Sequence, residues 1–189
     1  MTNPNELALS FRDYRDDCSY KVILLGQRLW TAENHRYNGI FGTFGLDNIH
    51  RNIHELGGFY ARSVVDTVCP PGWKVPTVQE WEGFYSAWKK RYNNLNFLEF
   101  ASGSDIDELG VLPMNGIGKL GDNLLDEASF SQTHKAAYFW TSTLDDSGDR
   151  KIFGIADDGV KIFTSVGDEL CNLRFVKSIK REKEGDIMS

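Results

Sequence analysis

The sequence predicts an α+β chain, with strands toward both ends and helices between them. Three observations lead there. Apolar, β-branched runs bounded by turn residues lie near each end of the chain. Aromatic residues recur at helical spacing behind a capping box in the middle. An Asp-Gly pair, a strong two-residue hairpin signal, separates two strand-like runs in the last third.

The elements follow in order. "SYKVILLGQRLWTAEN" (Ser19–Asn34) reads as two strands around a Gly26-Gln27 turn. From Gly39 to Gly58 there is no steady period, and Gly39, Gly42 and Gly45 punctuate it, so a loop is expected. "GFYARSVVDTV" places Tyr60, Val64, Val65 and Val68 on one helical face, and Pro70-Pro71 would end that helix. Thr77 and Glu80 form a capping box, and Trp81, Phe84, Tyr85, Trp88 and Tyr92 follow at helical spacing. That predicts a helix from about Val78 to Arg91 with its aromatic stripe in the core. Glycine-rich Asn93–Lys135 reads as long irregular connections, with a short helix near "SDIDELG". A terminal antiparallel meander is expected from "AAYFWTST" (Ala136–Thr143), "RKIFGIA" (Arg150–Ala156), "VKIFTSV" (Val160–Val166) and "LCNLRFVKSI" (Leu170–Ile179). Asp145–Asp149 and Asp158-Gly159 supply its turns, and the first and last strands are expected to be neighbours.

Bulk composition narrows the classes. The chain has 189 residues, within the size of one domain, read as 1–180 with a charged tail at 181–189. A net charge of −6 argues against sequence-independent nucleic-acid binding, which needs a basic face. No run approaches the roughly 20 apolar residues of a membrane-spanning helix. The opening residues lack the basic and apolar regions of a secretory signal, so export by that route would require a signal removed upstream. Three cysteines, Cys18, Cys69 and Cys171, allow one internal disulfide at most.

Four blocks, "DYRDDCSYKVILLGQRLWTAEN", "GGFYARSVVDTVCPPGWKVPTVQEWEGF", "AAYFWTST" and "NLRFVKSI", resemble in that order the Fibrobacter succinogenes major paralogous domain family. Its blocks read approximately D-x-R-D-G-x-x-Y, G-x-Q-x-W-M-A-E-N-L, G-x-x-Y-x-W-x-x-A, C-P-P-G-W-H-[VL]-P-[ST]-x-x-E-W, Y-W-[ST]-S-[ST] and V-R-C-V-K. The resemblance implies a C-type-lectin-like fold, related to the formylglycine-generating enzyme and to retroelement variable proteins. It would comprise two helices packed on antiparallel sheets, long irregular loops and a terminal β-meander. In such a fold the cysteine of C-P-P-G-W pairs with the final cysteine. Here these positions are Cys69 and Phe175, so the staple is lost and Cys171, four residues earlier, is the remaining candidate partner. The family suggests a cell-surface or extracellular protein, whereas loss of the disulfide suits the cytoplasm or a phage particle.

Enzyme chemistry finds little support in the residues. Only Cys171 lies in the half of the chain that carries the related oxidase's cysteine pair, and neither a nucleophile elbow, a Walker loop nor a dinucleotide fingerprint occurs. His50 and His54 stand four apart, a helical zinc spacing, but the sequence positions no third ligand. The simpler reading is a pair of exposed loop histidines. Asp145–Asp149 and Asp157-Asp158 offer carboxylates to calcium, yet neither an EF-hand loop nor a lectin calcium motif is present, and acidic turns suffice. No cofactor is therefore expected. Asp13, Arg15 and Asp16, with Glu33-Asn34, read as residues that cap turns and pair with the terminal strands, and Trp30, Trp73, Trp81 and Trp140 read as core first and ligand platform second.

The resemblance places a binding surface on the long loops and the exposed face of the terminal sheet. Tyr138, Trp140, Asp145, Asp149, Arg150 and Lys151 are the candidate contacts, for a protein or glycan ligand. The expected function is a non-enzymatic recognition module. Two other classes stay open: a retroelement-diversified or phage-borne receptor-binding protein, and a structural or assembly subunit.

Overall fold

A computed structural model describes residues 9–25, 27–91, 114–121, 127–156 and 158–179. Among them, the chain begins with strands β1 (Leu9–Asp13), β2 (Cys18–Leu25) and β3 (Arg28–Thr31). Strand β4 (Thr43–Phe44), helix α1 (Arg51–Leu56) and strand β5 (Phe59–Ala61) follow. Helix α2 (Val78–Arg91) precedes two short strands, β6 (Ile117–Lys119) and β7 (Ser129–Ser131). The last stretch holds β8 (Ala136–Leu144), β9 (Arg150–Ala156), β10 (Gly159–Thr164), β11 (Glu169–Cys171) and β12 (Val176–Ser178). Antiparallel pairing builds sheets ordered β1-β2-β3-β12, β10-β9-β8 and β4-β5-β11-β6-β7.

The early hairpin agrees with the sequence, but the expected adjacency of first and last strands does not hold: β12 joins the same sheet at the edge opposite β1. β12 lies on β3 with Val176 opposite Trp30. The Pro70–Trp73 turn is fastened to the same strand, because Lys74 and Val176 exchange both backbone hydrogen bonds. Helix α2 occupies the expected residues and its box is complete. Thr77 N–H donates to Glu80 Oε2 at 2.9 Å, and Glu80 N–H donates to Thr77 Oγ1 at 3.1 Å. Thr143 Oγ1, from the end of β8, accepts from Val78 N–H at 2.9 Å, so a third orphan donor of the first turn is satisfied.

Other elements differ from the sequence reading. Gly58–Val68 is not a helix: Phe59–Ala61 pairs with β4 on one side and β11 on the other, and only Arg62–Val64 makes a 3₁₀ turn. Val64, Val65 and Val68 are buried all the same. The apolar spacing reported burial correctly, while two flanking strands decided the backbone. The expected loop over Gly39–Gly58 contains β4 and α1, and the irregular region contains β6 and β7. The last predicted strand splits, since β11 joins one sheet and β12 another. Gly26, Tyr92, "SDIDELG", Asp157 and the tail from 180 lie outside the described residues.

The core has two main halves on opposite faces of β8 and β9. Ala137, Phe139, Phe153 and Ile155 point toward α2 and pack with Trp81, Phe84, Trp88 and Trp30. Trp81 stacks on Phe139 at 4.4 Å between ring centroids. Ala136, Tyr138, Trp140 and Ile152 face the other way, against Val65, Leu173 and Phe175. A strand alternates sides every residue, so this single pair of strands supplies both halves. Burial on both faces is why β8 reads as a continuous apolar run rather than an alternating one.

Candidate functional site

Three loop segments meet around a cleft of about 750 Å³ beside the β8–β9 turn. Phe41 and Phe44 come from the segment around β4, Arg62 and Asp66 from the chain after β5, and Leu144 and Arg150 from the two strand ends. Its geometry begins with a β-bulge. Regular β8–β9 register stops at Trp140–Ile152 and resumes at Leu144–Arg150, leaving extra residues in β8. Arg150 fills the irregularity: its Nη1 donates to Thr141 O at 2.7 Å, and Thr141 Oγ1 donates to Lys151 O at 2.7 Å. The Arg150 guanidinium is thereby fixed, and its Nη2 reaches Asp66 Oδ2 at 2.6 Å across the cleft.

The adjoining turn organises itself. Asp145 Oδ1 accepts from the backbone N–H groups of Ser147 and Asp149, each at 2.9 Å. Gly148 takes φ +84°, a left-handed conformation that glycine adopts without a side-chain clash. Asp149 then projects to Arg62, with Oδ1 and Nη1 2.7 Å apart. Two ion pairs thus join the β8–β9 turn to the segment after β5, and exposed Phe41 and Leu144 flank them at 68% and 52% exposure.

The six expected contacts are distributed unevenly. Arg150 lines the cleft and Asp149 borders it through Arg62. Asp145 is occupied in shaping the turn. Lys151 neighbours Arg150 along β9, so alternation sends it to the opposite face. Trp140 is a correction: it is fully buried, its indole N–H donating to Tyr60 O at 2.7 Å, and no ligand can reach it. Tyr138 is also buried, set edge-on to Phe163 and against Gly154. The apolar character of "AAYFWTST" reflects a strand covered on both faces, rather than the one open face expected from the sequence. Phe41, Phe44, Arg62 and Asp66 were not singled out from the sequence, because no motif marks them and they converge only through sheet pairing.

His50 and His54 belong to helix α1 and its N-cap rather than to a loop, with ring centroids 5.9 Å apart. Both are exposed, and His50 Nε2 lies 3.2 Å from Asn38 Nδ2. No group of three or more metal-ligating side chains gathers among the described residues. The three cysteines are free. Cys69 and Phe175 share one core cluster with Cys171, and the Cys69 thiol donates to Trp73 O at 3.3 Å. Burial pushes the Cys69 thiol up to about 11 and raises that of Cys171 well above the usual thiol range.

Asp13 caps its turn as expected, accepting from Arg15 N–H at 3.1 Å, but the expected pairing with the terminal strands is replaced by contacts to the segment before Cys69. Arg15 Nη2 donates to Asp13 Oδ2 at 2.6 Å and to Val68 O at 2.7 Å, tying the first hairpin to the cysteine corner. His35 lies 4.0 Å from the same carboxylate, in a box of rings from Tyr20, Tyr37, Tyr60 and Phe175. Burial drives its imidazole down to about 3, so it is neutral at ordinary pH. Burial would lift Asp13, but hydrogen bonds and charge from Arg15 outweigh it and hold the carboxyl below the usual range.

No helix among the described residues is long and apolar enough to cross a membrane. No family model matches the chain, and neither does any curated protein or solved structure with which it was compared.

Proposed function

We propose that the protein is a non-enzymatic recognition module on a C-type-lectin-like scaffold, binding a protein or glycan ligand through the cleft beside the β8–β9 turn. The observation that carries the reading is the pairing of exposed apolar walls with two cross-cleft ion pairs on loops held by two sheets. Binding residues concentrate on loops positioned by a rigid scaffold. The scaffold assignment is supported by terminal strands that share one sheet and by a capped helix packed on the meander.

Each part of the cleft has a use in binding. Covering Phe41 and Leu144 removes apolar surface from water, at about 25 cal/mol per Å². The Arg62–Asp149 pair is partly exposed, and such pairs contribute only about 0–1 kcal/mol. Either partner can therefore turn to a ligand group with little loss, while Arg150 stays fixed by the bulge. A cleft of this size and mixed lining lies within the range of small-ligand and side-chain pockets.

A glycan array and a displayed peptide library, each screened with and without calcium, test the reading. Retention of a glycan or peptide is expected, with loss in the Phe41→Ala and Leu144→Asp variants. Both positions are exposed, so these changes leave the core untouched. Failure to retain anything in either screen, with a stable homo-oligomer by light scattering, would replace the reading with an assembly subunit.

A further inference from the structure

A second cleft, of about 640 Å³, opens beside α2, between that helix, the β2–β3 connection and the end of β12. Its apolar wall is Leu25, Phe84 and Ile179, and its charged residues are Arg28, Lys74 and Glu80. Glu80 is held twice: Arg28 Nη1 lies 2.5 Å and Lys74 Nζ 2.7 Å from its Oε1. The Glu80 side chain is 7% exposed, whereas those of Arg28 and Lys74 are 39% and 50% exposed. Two cations against one carboxylate leave the lining one positive charge in excess, in a chain whose net charge is −6.

The helix leaves this cleft open at Gly83. Glycine in a helix interior is unfavourable relative to alanine, because it orders a freer backbone. A Cβ at Gly83 would meet nothing within 4 Å, so packing among the described residues does not require the glycine. What a side chain there would do is occupy the cleft it lines.

We propose that this cleft binds a small carboxylic acid with an apolar body, its carboxylate held by Arg28 and Lys74 and its body against Leu25, Phe84 and Ile179. A single negative charge balances the lining. The guanidinium fork of Arg28 matches a planar carboxylate, and Lys74 adds a second charge-assisted donor. The volume is that of a small-molecule site. This site is separate from the loop cleft and does not depend on the recognition role proposed above.

Titration calorimetry with octanoate and 4-phenylbutyrate, each against its amide, tests the assignment on the full chain. The acids are expected to bind, and the amides to bind at least about ten-fold more weakly, the equivalent of about 1.4 kcal/mol. Added salt should weaken the acids. Gly83→Leu should abolish binding with an unchanged circular dichroism spectrum, and Arg28→Gln should weaken it by about ten-fold, the scale of one charge-assisted hydrogen bond. Should Gly83→Leu fail to fold, Arg28→Gln decides. Absence of acid binding, equal binding of acid and amide, or full binding by a folded Gly83→Leu would each overturn the proposal. Phe41→Ala and Leu144→Asp leave this binding unchanged, so it stands or falls apart from the loop cleft.

Discussion

His35 illustrates what a buried ionisable side chain does to stability. Its ring is enclosed by aromatic neighbours, and burial holds its pKa down to about 3, against about 6.5 for an open histidine. As pH falls below about 6.5 the unfolded chain takes up the proton first, so the folded state loses ground until about pH 3. The slope should approach about 1.4 kcal/mol per pH unit. Asp13 acts in the same direction but lower, because its depressed carboxyl protonates only in stronger acid. In His35→Phe, urea midpoints measured between about pH 6 and pH 4 should lose most of this slope. A variant with the wild-type slope would show that His35 is not the group responsible. At the same scale, Trp140 is sealed in the core, as is common for a large aromatic, while Arg150, itself mostly buried, reaches the cleft.

Helix α2 owes its start to side chains rather than to propensity alone. The reciprocal Thr77–Glu80 bonds and the Thr143 hydroxyl satisfy three backbone donors at its entry. Thr77→Ala should therefore cost about 1 kcal/mol in chemical denaturation, and Thr77→Ser much less, since serine keeps the accepting oxygen. Glu80 links this cap to the proposed acid site, because the carboxylate that closes the box also holds Arg28 and Lys74. Burial would raise that carboxyl, but the hydrogen bonds from Lys74 and from Thr77 N–H, with the charges of Lys74 and Arg28, keep it below the usual range. The β8–β9 bulge plays the corresponding part at the other cleft. One irregularity in register fixes Arg150 and presents the Asp145–Asp149 turn.

For the whole molecule, three sheets share a core without any cross-link among the three cysteines. Phe175 is fully buried in the cluster that also holds Cys69 and Cys171, so packing serves where the resemblance would place a disulfide. Alkylation followed by mass spectrometry should label Cys18 and then Cys69 in the folded protein, with Cys171 reacting only on unfolding. Burial raises both Cys69 and Cys171, and Cys171 is fully enclosed. The melting temperature should not respond to reductant. A mass two units low, or a reductant-dependent transition, would reveal a bond and contradict this account.

Local signals in the sequence determined the elements whose stabilising contacts are near in the chain. The capping box and aromatic spacing located α2, Asp158-Gly159 located the β9–β10 hairpin, and Asp145–Asp149 located the preceding turn. In each, a few adjacent residues satisfy one another's hydrogen bonds or line one helical face. The tertiary structure alone decided the rest. Phe59–Ala61 became a strand because β4 and β11 lie on either side of it. Trp140 was withdrawn from the surface because β8 is covered on both faces. Phe41, Arg62 and Asp66 came together with Leu144 and Arg150 because distant strands pair around them. Hydrophobic spacing reports which residues are buried; which partners bury them, and which side chains that leaves around a cleft, depends on contacts between residues far apart in the chain.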